Sequence, residues 1–306
     1  MTSRIAVLPV ATLLAMLLTG CDSFDPASVV QSLRVLGIKA EPPEIPSGAH
    51  STLTPLVVDL GPVYDAGTID YEWALCTKIP AVGVDVDPDC FDSDDPAIMT
   101  PLPTLAGGST VVTMPERTLA QLGSPDSTGG FYVPFRLRVH AGNAEVVAFE
   151  RLRWQAGFVP PNNNPTLSSI SYVPTGTDGD LPDMGQAVDL TALPDDAMPP
   201  IELPRGGKLR FRATDAPGSG EAYTTFTGDP RNLMTINVTE LVRFFWYTSA
   251  GKVNNEITGE ARPDTVLDTT AFMDTLATRD GMVDVWLVAR EERGGTDFIH
   301  RRIHVK

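Results

Sequence analysis

The stretch VPFRLRVHAGNAEVVAFERLRW, residues 133–154, decides the fold class of this chain. In its first half, apolar and polar residues alternate with a period of two, which is typical of a β-strand with one buried face. Ala141-Gly142-Asn143 predicts a turn, and residues 145–154 predict the returning strand. The stretch is therefore a predicted β-hairpin, with apolar positions at Val133, Phe135, Leu137 and Val139.

The rest of the chain repeats this plan in two halves. A second predicted hairpin occupies residues 282–305, with its turn at Arg293-Gly294-Gly295-Thr296. Each half also contains an earlier alternating strand followed by a strand that carries a tryptophan. These pairs are residues 52–59 and 69–76 around Trp73 in the first half, and residues 208–215 and 241–249 around Trp246 in the second. The pattern predicts two domains with the same strand order.

This strand order resembles that of the immunoglobulin-like β-sandwich, in which a strand C with a buried tryptophan follows strand B and an F–G hairpin closes the domain. Tyr132, which follows Asp126 and Gly130, is similar to the tyrosine corner of that fold. Pro134 stands where antibody domains carry a cysteine, so the resemblance is to the wider sandwich class. It implies an all-β protein with two tandem immunoglobulin-like β-sandwich domains.

The first 21 residues resemble the signal peptide and lipobox of a bacterial lipoprotein. Arg4 supplies a basic start, residues 5–18 carry no charge, and Leu18-Thr19-Gly20-Cys21 fits all four positions of the box. The resemblance implies cleavage before Cys21, acylation of that cysteine and stable attachment to a membrane. Two alternatives stay open: an ordinary secretory signal with a chance cysteine, and an uncleaved anchor helix. Asp22 leaves the choice between inner and outer membrane open.

Other stretches are similar to the multi-sandwich lipoproteins predicted in myxobacteria and their relatives. They are Arg34-Val35-Leu36-Gly37-Ile38, Glu41-Pro42-Pro43 and Arg293-Gly294-Gly295-Thr296-Asp297. Those families are mostly without assigned function. The resemblance implies a protein of the bacterial cell envelope, lipid-anchored and facing the periplasm or the cell surface.

Length and composition agree with this organisation. A chain of 306 residues with 42% hydrophobic residues is long enough for two domains with real cores. The run Pro160-Pro161-Asn162-Asn163-Asn164-Pro165 predicts a linker, because proline stiffens a segment and asparagine favours turns. The expected parts are a signal peptide (1–20), a lipid-anchored tether (21–30), a first domain (31–159), a linker (160–166) and a second domain (167–306).

The three cysteines are consistent with an oxidising compartment. If Cys21 carries lipid, Cys76 and Cys90 remain as an even pair, and we expect them to form a disulfide. The alternative is two free thiols.

The acidic residues between these cysteines form the clearest polar cluster. Carboxylates at alternate positions are ligands that Ca²⁺ prefers, so an irregular structural Ca²⁺ site is one interpretation and a solvated acidic loop is the other. An EF-hand is excluded, because Cys90 and Pro96 occupy its required glycine and glutamate positions. A weaker acidic cluster is Asp178, Asp180 and Asp183. The candidate metal ligands are Asp85, Asp87, Asp89 and Asp92.

An aromatic patch is the candidate partner-binding surface. If Trp246 points into the core of the second domain, the period of two places Phe245 and Tyr247 on the outer face, and Trp286 beside them on the neighbouring strand. Exposed apolar patches mark interaction surfaces. The alternatives are that the first domain or residues 260–280 cover the patch, or that the register differs.

Charge and motifs limit the function classes. A formal net charge of −16 disfavours nucleic acid as a partner, because phosphate contacts need clustered lysine and arginine. The sequence contains no Gly-x-Ser-x-Gly, His-Glu-x-x-His or phosphate-binding glycine motif. We therefore expect a non-catalytic binding or structural module for an envelope protein or polysaccharide. The alternative is an enzyme with a site in the interdomain cleft, which strongly shifted acids or histidines in that cleft would favour.

Overall fold

A computed structural model describes residues 26–60, 69–80, 84–117, 121, 125, 130–155, 161–175, 188–189, 200–227, 234–270 and 280–306. The predicted signal peptide, Cys21, Asp126 and the acidic cluster at 178–183 lie outside these residues. The described chain is almost entirely β-structure, and its single α-helix, α1 (Asp89–Asp92), is one turn long. In this part of the chain, no helix is long and apolar enough to span a membrane.

The first domain is a sandwich of two sheets. One sheet has the order β1-β3-β6 and the other the order β2-β8-β7-β4-β5. The strands are β1 (Arg34–Glu41), β2 (Glu44–Ile45), β3 (His50–Val58), β4 (Ile69–Cys76), β5 (Met99–Leu102), β6 (Thr110–Thr113), β7 (Phe131–Ala141) and β8 (Ala144–Trp154).

The second domain is a sandwich of the same kind. Its strands are β9 (Leu167–Thr175), β10 (Val188–Asp189), β11 (Ile201–Leu203), β12 (Lys208–Asp215), β13 (Ala222–Thr227), β14 (Met234–Thr239), β15 (Arg243–Thr248), β16 (Lys252–Val253), β17 (Ile257–Thr258), β18 (Asp264–Asp268), β19 (Met282–Arg290) and β20 (Thr296–Val305). The sheets are β10-β9-β12-β18-β16 and β11-β20-β19-β15-β17, and β13 and β14 form a separate hairpin that sequence analysis did not identify.

The two domains share one topology. In each, the first long strand pairs with the B-like strand, and a short strand then crosses to the other sheet and pairs parallel to the last strand, as β2 does with β8 and β11 with β20. The Trp-bearing strand lies beside the closing hairpin in both domains. The prediction of an all-β chain with two tandem immunoglobulin-like sandwiches is confirmed.

Each core is built around its tryptophan. The Trp73 indole N–H donates to the carbonyl of Gly108 at 2.8 Å, and that of Trp246 donates to the Thr258 hydroxyl at 2.8 Å. These bonds satisfy the polar end of each ring, so that burial of the apolar part stabilises the domain. Truncation of such a side chain costs about 3–5 kcal/mol. The alternation predicted for β15 and β19 is present, with Phe244, Trp246, Val283, Val285 and Leu287 in the core.

Candidate functional site: the interface between the two domains

The predicted aromatic patch lies where the alternation places it, but it is not exposed. Trp286 is only 5% exposed, because Leu36, Val30 and Val58 of the N-terminal half cover it. This corrects the prediction of a partner-binding face: the first domain covers the patch, which was one of the alternatives. Together these residues form the interdomain apolar cluster, whose members are Val30, Leu36, Val58, Trp286 and Val288, with Leu56, Leu60, Phe245, Tyr247 and Phe298 packed around them.

A β-bulge in β1 aims Leu36 at the second domain. The pairing of β1 with β3 shifts register between Val35 and Gly37, so Leu36 is the extra residue. Such bulges bend a strand and redirect a side chain. The Leu36 carbonyl accepts a hydrogen bond from Arg290 Nη2 at 2.8 Å, and a Cβ at Gly37 would lie 3.2 Å from Val288 Cγ1. Glycine at this position therefore allows the close approach of the two domains.

The described part of the predicted tether contacts the second domain. The backbone N–H of Val30 donates to the Thr248 carbonyl at 2.8 Å, and the N–H of Thr248 donates to the Ser28 carbonyl at 2.8 Å. The Ser28 hydroxyl also donates to Glu256 at 2.8 Å. Residues 26–30 thus attach to the end of β15 before the chain enters the first sandwich.

The asparagines of the predicted linker connect both domains. The Asn162 backbone N–H donates to Glu44 at 2.9 Å, and its side-chain amide donates to Glu291 at 2.7 Å. Asn164 donates to the Ala40 carbonyl at 2.7 Å and accepts from the backbone N–H of Thr296 at 2.9 Å. The segment therefore holds the domains together through side chains, a role that its composition did not reveal.

A buried arginine lies at the centre of the polar interface. Arg293, in the F–G turn of the second domain, is 1% exposed. Its guanidinium contacts Glu240 and is 2.7 Å from Glu221 and 3.8 Å from Glu44, the last across the domain boundary. Since an uncompensated buried charge is very costly, replacing Arg293 itself should be strongly destabilising, because its carboxylate partners would lose their counter-charge. We call this group, with Asn162 and Glu291, the arginine cluster.

The arginine cluster contains four carboxyl groups and one guanidinium group, that of Arg293. Burial raises the pKa of Glu44, although the charge of Arg153 opposes the change. Burial and then the charge of Glu240 raise the pKa of Glu291 to about 7. Burial in the interface therefore favours the protonated form of both carboxyl groups.

Beside the arginine cluster is an interdomain cleft with a cavity of about 280 Å³. Glu150 on β8 faces it and is directly opposite Phe135, a core residue, so the carboxyl points inward at the edge of the first sandwich. Burial raises the pKa of Glu150 to about 8, despite the opposing charges of Arg290 and Arg151. The described residues provide it with no hydrogen bond. Alternation on β8 places Glu150 at an inward-facing position, but it does not show how deeply the carboxyl group is buried.

The acidic loop is organised by a disulfide and by arginines. Cys76 and Cys90 are joined, with Cα atoms 5.9 Å apart, as predicted. Arg136 donates to the Cys90 carbonyl at 3.3 Å and to the Ser93 carbonyl at 2.7 Å, and it forms an ion pair with Asp94 at 3.3 Å.

The candidate Ca²⁺ ligands do not converge. Asp85 pairs with Arg151, Asp87 accepts from the backbone N–H of Asp89, and Asp89 pairs with Lys78 at 3.3 Å. No group of three His, Cys, Asp or Glu side chains that could hold a metal is present in the described part of the chain. Asp85, Asp87 and Asp89 thus have separate partners in the described structure, and the Ca²⁺ site that would include Asp92 stays a prediction.

The two histidines of β20, His300 and His304, also have different partners. His300 Nε2 is 2.7 Å from Asp284, and its ring is stacked on Trp286 with the centroids 5.4 Å apart. His304 lies 3.3 Å from Glu202. The described geometry therefore assigns the two histidines of β20 to different carboxylates.

Comparison with known proteins adds little. No family model and no curated protein matches the chain. Among solved structures, a chimeric titin Z1Z2-Z1Z2 tandem is 7% identical over 90% of this chain and 99% of its own, with a TM-score of 0.22. Drosophila OTK extracellular domains 3–5 are 8% identical over 90% and 61%, with a TM-score of 0.23. Yersinia pseudotuberculosis adhesin InvE is 12% identical over 89% and 60%, with a TM-score of 0.20. Scores this low support no inference about function.

Proposed function

We propose that this chain is a lipid-anchored protein of the bacterial envelope that acts as a rigid, non-catalytic structural or binding module for an envelope protein or polysaccharide. The observation that carries the proposal is the interface. An apolar cluster, a buried arginine and the linker asparagines connect two sandwiches that a flexible linker would leave independent. A rigid pair of domains holds whatever it binds at a constant distance from its point of attachment.

The N-terminal segment specifies how the module would stand on a membrane. Residues 26–30 are attached to the end of β15, so four residues separate Cys21 from Pro26. At about 3.5 Å per residue, the five steps from Cys21 to Pro26 span at most roughly 18 Å. An acylated Cys21 would therefore keep this end of the second domain close to the bilayer surface.

Anchoring is tested by metabolic labelling with a palmitate analogue. Wild-type protein should be labelled and Cys21→Ala should not, because two or more acyl chains on this residue supply the membrane attachment. Equal labelling of both proteins would refute the lipid anchor.

Rigidity is tested by a distance measurement between the domains. One spin label at Val111→Cys in the first domain and one at Ile257→Cys in the second, both at exposed positions, report the distance between the two domains. The wild-type distance distribution should be narrow, and Asn162→Ala with Asn164→Ala should broaden it. A broad distribution in the unmodified interface would contradict a rigid module.

The second candidate function is an enzyme in the interdomain cleft, and one observation favours it. Glu150 and Glu291 line the same cavity, and burial raises the pKa of both. Glu291 already accepts from Asn162, from Gly295 and from the backbone N–H of Arg293, whereas no described residue donates a hydrogen bond to Glu150. General acid catalysis needs a partner base or nucleophile. Hydrolysis of envelope polysaccharide that Glu150→Gln abolishes would establish the enzyme instead.

A further inference from the structure

The interdomain cleft has walls from both domains. One wall is the open edge of β8 around Glu150, because β2 pairs only with Arg153 and Trp154 of that strand. The bulged start of β1, at Val35 and Gly37, forms a second wall, and Arg290 of the second domain closes the third side. The cavity exists only because the two domains are joined.

Two guanidinium groups face this cavity, and aromatic rings orient both. Arg290 lies over the Phe245 ring at 5.2 Å and uses one N–H on the Leu36 carbonyl. Arg151 lies over the Tyr132 ring at 4.6 Å and pairs with Asp85. A guanidinium has five N–H donors, so each keeps donors for a ligand.

The acids around the cavity differ in what they offer a ligand. Glu150 is uncharged below about pH 8, because burial raises its pKa to about 8, and it then presents an O–H donor. Glu291 is directed into the arginine cluster, where it accepts from the Asn162 side-chain amide at 2.7 Å and from the backbone N–H of Arg293 at 2.6 Å. Glu292 is exposed at the rim. Below about pH 7, Arg290 and Arg151 are therefore the charged groups inside the cleft, while Asp85, which pairs with Arg151, and Glu292 are exposed to solvent.

We propose that the cleft binds a small carboxylate anion between Arg290 of the second domain and Arg151 of the first, with the Glu150 carboxyl group donating a hydrogen bond to it. Guanidinium groups match carboxylates in planar, paired hydrogen bonds, and a carboxyl-to-carboxylate hydrogen bond is short and strong. An amine ligand would meet two like charges. The cavity of about 280 Å³ is slightly smaller than the roughly 300–1,000 Å³ typical of ligand sites, which favours an acid of a few carbons.

Calorimetric titration of the full-length protein with succinate tests the site, with ionic strength held constant by sodium chloride. Binding should saturate at pH 6 and weaken by at least about tenfold at pH 9, where ionised Glu150 repels the anion. Glu150→Gln keeps a neutral donor, so its affinity should change less than about twofold between the two pH values. Arg290→Gln should weaken binding at pH 6 by at least about tenfold.

Arg205→Gln is the matched control. Arg205 is exposed next to β11, which pairs with the far end of β20, so this variant removes one positive charge away from the cleft and should bind like the wild type. The proposal is overturned if succinate does not bind at pH 6, if Arg290→Gln and Arg151→Gln both bind within about twofold of the wild type, or if methylammonium binds more tightly. Each of these results leaves the labelling and distance measurements above unaffected.

Discussion

At the scale of single residues, two tryptophans show that a side chain can be buried on either face of a sheet. Trp246 and Trp286 lie on neighbouring strands of one sheet and point to opposite faces. Trp246 fills the core of the second domain. Trp286 faces outward from that core and is nevertheless buried, because Leu36 of the first domain packs against the same cluster. Trp246 therefore stabilises the second domain itself, and Trp286 stabilises the contact between the two domains.

A double-mutant cycle distinguishes the two roles. In the intact protein, Trp246→Ala and Trp286→Ala should each cost about 3–5 kcal/mol of unfolding free energy, as large-to-small changes at buried positions. Leu36→Ala should couple to Trp286→Ala by about 0.5–3 kcal/mol, because the two side chains share one cluster. Chemical denaturation measures both.

The control for that cycle is the second tryptophan. Leu36→Ala and Trp246→Ala should be additive within about 0.5 kcal/mol, since the two side chains belong to separate clusters. Additivity of Leu36→Ala with Trp286→Ala would contradict the domain contact.

Asn162→Asp tests the charge balance of the arginine cluster. Asn162 is 1% exposed and bonded to Glu44 and Glu291, so the change adds a negative charge beside two acids with almost no change in shape. We expect a loss of at least about 3 kcal/mol at pH 8, and a smaller loss at pH 5, where Glu291 is protonated. Thermal unfolding at both pH values measures it.

Asn237→Asp is the comparison for that variant, because Asn237 is exposed on β14 and its side-chain oxygen accepts from the Thr224 hydroxyl. Its cost should stay within about 0.5 kcal/mol at either pH. Equal losses for the two variants would show that the linker asparagine has no special electrostatic role.

At the scale of elements, the loop between β4 and β5 is held at both ends. The disulfide joins the end of β4 to α1, and Arg136 of β7 binds three carbonyls of the loop. The disulfide and Arg136 thus hold the backbone of this loop against β4 and β7.

Replacing both Cys76 and Cys90 by serine should lower the unfolding free energy by about 3 kcal/mol, the value expected for a closed loop of roughly 15 residues. Denaturation of the oxidised and mutant proteins measures the loss, and peptide mapping without reductant identifies the linked peptides. Complete alkylation of both thiols in the unreduced protein would contradict the disulfide.

At the scale of the whole molecule, stability should depend on pH through two opposing sets of acids. Glu150 and Glu291 have pKa values of about 8 and about 7, so the folded state keeps protons that the unfolded chain releases above its value of 4.5. Stability from this set falls as the pH rises from about 4.5 to 8. Burial raises the pKa of Asp264, but hydrogen bonds to Arg212 and Arg210 bring it below the usual value, so this contribution is lost in acid.

We therefore expect the melting temperature to be highest near pH 5 and lower at pH 8, because the folded state loses the two protons over this range. Calorimetry across this range measures the trend. Glu150→Gln and Glu291→Gln should flatten it, whereas Glu202→Gln, at an exposed position, should not. A melting temperature that rises from pH 5 to 8 in the wild type would refute the assignment of these protons to the interface.

The sequence by itself determined the closing hairpins, the tryptophan-bearing strands and the immunoglobulin-like order of both domains, because a period of two and a turn are properties of neighbouring residues. Only the tertiary structure decided what covers the outer face of the second domain. The contact between Leu36 and Trp286 joins residues 250 positions apart, and no local pattern predicts it. The same holds for the linker asparagines and for Glu150, since hydrogen-bond partners and pKa values depend on burial, which docking of the two domains creates.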